Sequence, residues 1–223
     1  MDQRADIRDT LVILLALSAG AVDAISFLGL GGAFSANMTG NVVLLGAAAG
    51  NGFGEQLVRS GAALAGYVVG VYFAARAVRD EPDGIWPGWL TRALFAIGLI
   101  ECVVLAGWVA SDGRPSLAVA AALLGVFALA MGGQGALVHR LGLAGVTTTY
   151  VTGTLTGFFV ELATDSGSPR NRLQRLGMVL ALFIGAVAAA LLIVHARALA
   201  ALLPPVLTFA AVAVGAKDLR SRA

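Results

Sequence analysis

The chain has 223 residues, of which 58% are hydrophobic and only 13% are charged. Soluble domains carry about 25% charged residues, so a water-soluble globular fold is excluded: too little of this chain can face solvent. A net charge of +2 without any basic run interleaved with aromatics excludes a nucleic-acid surface, and a single cysteine, Cys102, excludes an internal disulfide.

In chain order, residues 1–10 set Arg4 and Arg8 against three aspartates. A signal peptide begins with a short basic region, and its apolar run is shorter than the one here, so the segment 11–30 reads as a retained first membrane span. It contains Asp23. The next segment, 33–50, is short, broken by Gly31 and Gly32, and opens with Asn37, Thr39 and Asn41. A span over 61–78 follows, with Ala62, Gly66, Gly70 and Ala74 spaced by four, which puts them on one helix face where backbones can approach closely. The span 90–110 contains Glu101, and 117–138 contains Gln134. The segment 143–163 is again irregular, with Thr148, Tyr150, Thr152 and Thr154 after Gly142 and Gly145. The span 176–196 repeats the small-residue face with Gly177, Ala181, Gly185 and Ala189, and 199–216 is the last apolar run.

Eight apolar segments can be counted, and charge arbitrates among the topologies because Lys and Arg favour the cytoplasmic side. If the second and sixth segments dip into the membrane and return, 12 of the 15 Lys and Arg fall on the side of the termini. If all eight segments cross, only 10 do. The expectation is an all-α membrane protein of about six spans, with both termini and the loop at 80–83 cytoplasmic.

The two irregular segments also resemble one another. At an ungapped offset of 113 residues, Gly20, Leu28, Gly29, Leu30, Gly32, Thr39 and Gly40 match Gly133, Leu141, Gly142, Leu143, Gly145, Thr152 and Gly153, which is 7 identities in 21 pairs. The expected organisation is a repeat over 1–110 and a second over 111–223 in one integral membrane domain. Three spans in each half would invert the second repeat. Two polar, glycine-broken elements entering from opposite faces is how many transporters build a site at the bilayer midplane.

Val22-Asp23-Ala24 with Phe27-Leu28, then residues 31–41 (Gly-Gly-Ala-Phe-Ser-Ala-Asn-Met-Thr-Gly-Asn), and in the second half residues 146–154 (Val-Thr-Thr-Thr-Tyr-Val-Thr-Gly-Thr), resemble the signatures of the YoaK-like family of small bacterial inner-membrane proteins (DUF1275). The resemblance covers nearly the whole chain. It implies a polytopic inner-membrane protein of about six spans and, since that family is one of unknown function, no reaction and no substrate.

Chemistry therefore has to come from the residues. An ionisable side chain at the centre of a spanning helix costs about 2.5–3.5 kcal/mol on insertion scales, which singles out Asp23 and Glu101. Asp23 can carry a proton or bind a cation or amine; alternatively it accepts hydrogen bonds from the backbone of the returning segment. Glu101 is a second candidate, or a neutral acid packed in the bundle. Asn37, Thr39, Asn41, Gln134, Thr148, Tyr150, Thr152 and Thr154 supply neutral donors and acceptors for a polar solute or ion, or else cap broken helices. Gly66, Gly70, Gly177 and Gly185 are expected at helix contacts. His139 and His195 are isolated at span ends, and neither HExxH nor CxxC occurs, so no metal or other cofactor is expected. No Gly-x-Ser-x-Gly occurs either. The expected partners are the lipid bilayer, a small polar solute or a proton or cation, and a second copy in a homodimer. The expected function is a secondary transporter or permease and not an enzyme. The alternatives are a non-catalytic sensor or assembly subunit and, behind it, an intramembrane enzyme.

Overall fold

The computed structural model describes residues 3–142 and 151–219, and they are helical throughout apart from connections. The helices are α1 (Gln3–Gly29), α2 (Met38–Asn51), α3 (Gly54–Ala77), α4 (Gly88–Ala110), α5 (Leu117–Arg140), α6 (Val151–Ala163), α7 (Pro169–His195) and α8 (Leu203–Val214). A 3₁₀ turn, Arg197–Leu202, leads into α8 and a π-helical turn, Gly215–Leu219, follows it. Among the described residues six helical stretches are long and apolar enough to cross a membrane: α1, α3, α4, α5, α7 and Arg197–Asp218. The other two are short. At 1.5 Å per residue the 14 residues of α2 span about 21 Å and the 13 of α6 about 20 Å, against a hydrocarbon core of about 30 Å.

Local chemistry sets the breaks. After α1 the chain turns through Gly31 and Gly32 at φ of 102° and 84°, a region that β-carbons disfavour. Asn37 caps α2 by accepting from the Gly40 N–H (3.2 Å), and Gly52 closes it in the left-handed conformation. Ser168 caps α7, with Pro169 in its first turn.

Two seams hold the bundle, and both use glycine. Along α3 and α5, a Cβ on Gly66 would overlap the Gly125 carbonyl oxygen, one on Gly70 that of Leu129, and one on Gly132 that of Tyr67. Along α1 and α7, Gly185 stands in the same way against the Leu17 carbonyl and Gly20 against that of Leu182, while Gly177 faces the Ile13 side chain. Residue numbers rise together in both seams, so each pair of helices runs parallel. The polar cross-brace from α5 to α1 is Gln134, whose Nε2 donates to the Leu15 carbonyl (3.2 Å).

The ends of the bundle follow from specific contacts. Arg170 at the start of α7 pairs with Asp6 (2.7 Å) and Asp9 (2.8 Å) near the start of α1. Arg140 at the end of α5 pairs with Asp83 and donates to the Glu81 carbonyl (3.1 Å) in the α3–α4 connection. Trp86 of that connection packs on Gly215 at the end of α8, a turn that also packs on α1. The start of α1, the α3–α4 connection and the end of α8 therefore share one end. At the other, the end of α1 meets Trp108 at Gly29. The Trp108 indole N–H donates to the Arg197 carbonyl (2.8 Å), and Arg197 Nε donates to the Gly113 carbonyl (2.8 Å). Gln56 near the start of α3 donates to the Gly32 carbonyl (3.0 Å) just past α1, so α1 ends where α3 begins.

Candidate functional site

Six residues before α1 ends, Asp23 points its carboxylate at the segment that follows the glycine turn. Its Oδ1 accepts from the backbone N–H groups of Ser35 (2.9 Å), Ala36 (2.7 Å) and Asn37 (3.4 Å). An anion at the mouth of a helix is where the free N–H groups and the positive dipole end favour one. Two further contacts shape the segment. Asn41 Oδ1 accepts from the Phe34 N–H (2.9 Å) while its Nδ2 donates to the Phe34 carbonyl (2.6 Å), and the Ser26 and Ser35 hydroxyls lie 2.7 Å apart. Phe34 stacks on Phe27 with centroids 4.9 Å apart. The loop is thus drawn back to the depth of Asp23, and α2 starts from there.

A cavity of ≈ 630 Å³ opens at this point, within the 300–1,000 Å³ range of small-molecule sites. Asp23, Asn37, Thr39 and Gly40 line it from the first half of the chain, Val151 and Thr152 from the start of α6, and Tyr67 and Leu182 from α3 and α7. Both short helices therefore begin at one cavity. Among the described residues its polar groups are a single carboxylate, one carboxamide and hydroxyls, and the rest of the described lining is apolar, with Phe34, Met38, Val43 and Leu44 among it.

The residues singled out in the sequence divide into those at the cavity and those away from it. Asp23, Asn37, Thr39 and Thr152 share it. Asn41 is fully buried and its amide is taken up by Phe34. Thr154 is buried in α6, away from the lining. Gln134 is committed to the α1–α5 brace. Thr148 and Tyr150 lie outside the described residues. Glu101 sits apart, 0% exposed between α4 and α8 and facing the equally buried Thr208. Neither of its oxygens completes a hydrogen bond of normal geometry.

Two participants were not singled out. Tyr67 lines the cavity from α3, and its hydroxyl also approaches Gly135 of α5. Its position beside Gly66 was the available signal, since that glycine marks the α3–α5 seam. The other is the pair formed by Glu161 of α6 and Arg175 of α7 at 3.0 Å, with side chains 18% and 12% exposed. No pattern in the sequence ties Glu161 to a cation. No group of three or more potential metal ligands occurs among the described residues.

Six membrane-length helices and two short ones among the described residues, with a polar-lipped cavity where the short ones begin, define a polytopic helical membrane protein. The chain belongs to the family described as protein of unknown function (DUF1275), whose model matches residues 11–215. It is 35% identical over 156 residues, 70% of this chain and 68% of the relative, to the UPF0700 transmembrane protein YoaK of Bacillus subtilis (strain 168). No solved structure matches it.

Proposed function

We propose that the protein is a secondary transporter or permease for a small polar solute or ion, with the cavity at Asp23 as its binding site and no catalytic step. The observation that carries this reading is the convergence of Asp23, Asn37 and Thr39 with Thr152, from distant parts of the chain, where two helices too short to cross both begin. Short helices whose N-termini face a cavity at membrane depth are the usual construction of a midplane solute site. A secondary transporter also has to expose such a site to each side in turn, and two similar halves packed as opposites supply that motion.

An inverted repeat is supported by the seams. Leu17 and Gly20 of α1 contact Gly185 and Leu182 of α7 as Leu129 and Gly132 of α5 contact Gly70 and Tyr67 of α3. In this packing register α1 and α5 are offset by 112 residues, one fewer than in the sequence register. Asp23 then corresponds to Gly135, where the sequence register has Ala136. Since α3 starts where α1 ends and runs parallel to α5, α5 runs opposite to α1.

The shared end of α1, the α3–α4 connection and α8 supports six crossings, because eight would put residue 83 on the face opposite the termini. We place that end in the cytoplasm and the protein in the bacterial inner membrane, from the charge bias. Labelling of cysteine at position 83 in intact cells, in a Cys102-free background, tests this: reaction with an impermeant reagent from outside refutes it. The transport reading is tested by thermal stability across a library of metabolites and ions in detergent. A ligand that binds only the folded protein raises Tm, and the shift should be lost in Asp23→Asn. Stabilisation unchanged in Asp23→Asn removes the carboxylate from the site; no stabilisation by any solute favours the sensor or assembly reading.

A further inference from the structure

Glu161 is the one charged residue on α6. The Arg175 guanidinium reaches it across Gly157, at a place where any β-carbon on residue 157 would overlap the guanidinium. The bare backbone at Gly157 thus leaves room for the guanidinium to lie against α6. It lies at the end of α6 away from Thr152, so the helix has one end in the cavity wall and the other tied to α7.

The pair is poorly completed. Glu161 Oε2 and Arg175 Nε are both buried without a hydrogen-bond partner. Closed, the two charges gain their mutual attraction but forgo hydration of these atoms. Open, they regain water and lose each other. An ion pair taken out of water repays its desolvation fully only where its remaining polar atoms are also hydrogen-bonded, so this pair is held less firmly than a completed one.

We propose that Glu161 and Arg175 form a latch that holds α6 against α7, and that its opening displaces the Thr152 wall of the cavity. The proposal rests on the reading of that cavity as a solute site and names how access to it is controlled. In this arrangement α2 is the fixed wall, because Asp23 and Asn41 bind its approach to α1 and to itself, and α6 is the gate.

Hydrogen–deuterium exchange of the full chain in lipid nanodiscs tests the latch without a known solute. Glu161→Gln and Arg175→Gln should each raise exchange in peptides covering 151–163 by about fivefold or more, through easier local opening, and leave 38–51 unchanged. Gly157→Ala should do the same with both charges present. The exchanged pair Glu161→Arg with Arg175→Glu should restore slow exchange. Unchanged exchange in α6 in the single variants, or an equal rise in α2, overturns the latch, as does failure of the charge exchange to restore. Solute stabilisation is read separately on the same variants. Its complete absence from wild-type protein removes the transport reading, while an α6-selective exchange response still supports the latch.

Discussion

The two short helices start at one cavity and are held there by different means. The approach to α2 is fixed at its N-terminal side, where one carboxylate, Asp23, gathers three consecutive backbone N–H groups and Asn41 closes both polar groups of Phe34. In α6 the described tie is at the far side, a charge pair across Gly157. The position that would correspond to Asp23 is Gly135 or Ala136, neither of which can supply a side-chain acceptor. Both seams bring backbone against backbone, whereas the contacts at the two helix starts differ. Under the proposed latch, the first half provides the fixed wall and the second the wall that is released.

The largest effect should come from the seams that both halves share, since there the comparison ought to vanish. Leu in place of Gly66 or Gly185 sets a branched side chain against a carbonyl oxygen of the neighbouring helix. Overpacking costs about 1–3 kcal/mol even where neighbours can shift, and backbone cannot shift cheaply. Both variants should lose most of their folded yield in mild detergent and melt well below the parent. Normal yield in one of them would mean that the seams are unequal.

Next comes the anchor that only the first half has. Asp23→Ala removes an acceptor shared by three N–H groups, and charge-assisted bonds contribute about 1.5–3 kcal/mol each in net terms, although a shared oxygen gives less than the sum. A loss of about 2–3 kcal/mol is expected. Exchange should rise in 31–41 and stay level in 151–163. Asp23→Asn keeps an acceptor oxygen and should lose about half as much, while abolishing solute stabilisation. If Asp23→Ala loosens α6 as much as α2, the two walls are not independent.

Glu101 lies outside the comparison and calibrates it. Its carboxyl touches neither short helix and completes no hydrogen bond of normal geometry. Glu101→Gln is nearly isosteric and leaves Thr208 a polar neighbour, so stability should change by under about 1 kcal/mol in either direction. Solute stabilisation should persist. Its loss in Glu101→Gln would put the α4–α8 seam in the transport cycle.

Much of this architecture is legible in the sequence for physical reasons. Length and apolarity of a run decide whether a helix can cross, so the six long helices stand out. A spacing of four small residues marks a face for close approach, and Gly66, Gly70 and Gly185 sit against backbone carbonyls. The expense of a carboxylate in a span draws attention to Asp23, but not to what it binds. Its donors lie 12 to 14 residues on, beyond a turn whose path depends on Gly31 and Gly32 together. Helix register in the proposed repeat is weakly encoded: over residues 11–29 an offset of 112 gives 5 identities and one of 113 gives 4, and the 113 register prevails only through the glycine turn and the Thr-Gly motif. Tyr67 went unnoticed because an aromatic in a span ordinarily faces lipid. The pairing of Glu161 with Arg175 depends on how α6 folds back along α7, which no local pattern reports.

The smallest effect is the one that best sharpens the contrast between the walls. Thr39 and Thr152 are both exposed at the cavity, one on α2 and one on α6. Replacing either with Val keeps the shape and removes a hydroxyl that solvent can reach, so stability without solute should move by no more than about 0.5 kcal/mol. With a stabilising solute in hand, the two variants can be compared directly. A hydroxyl that hydrogen-bonds the bound solute contributes about 0.5–1.5 kcal/mol, which lowers affinity by several-fold and shortens the Tm shift accordingly. If solute binds with α6 latched, Thr39→Val and Thr152→Val should weaken it to a similar degree. If it binds with α6 released, Thr39→Val should weaken it and Thr152→Val should not. Loss in Thr152→Val alone would reverse the assignment of fixed and moving walls.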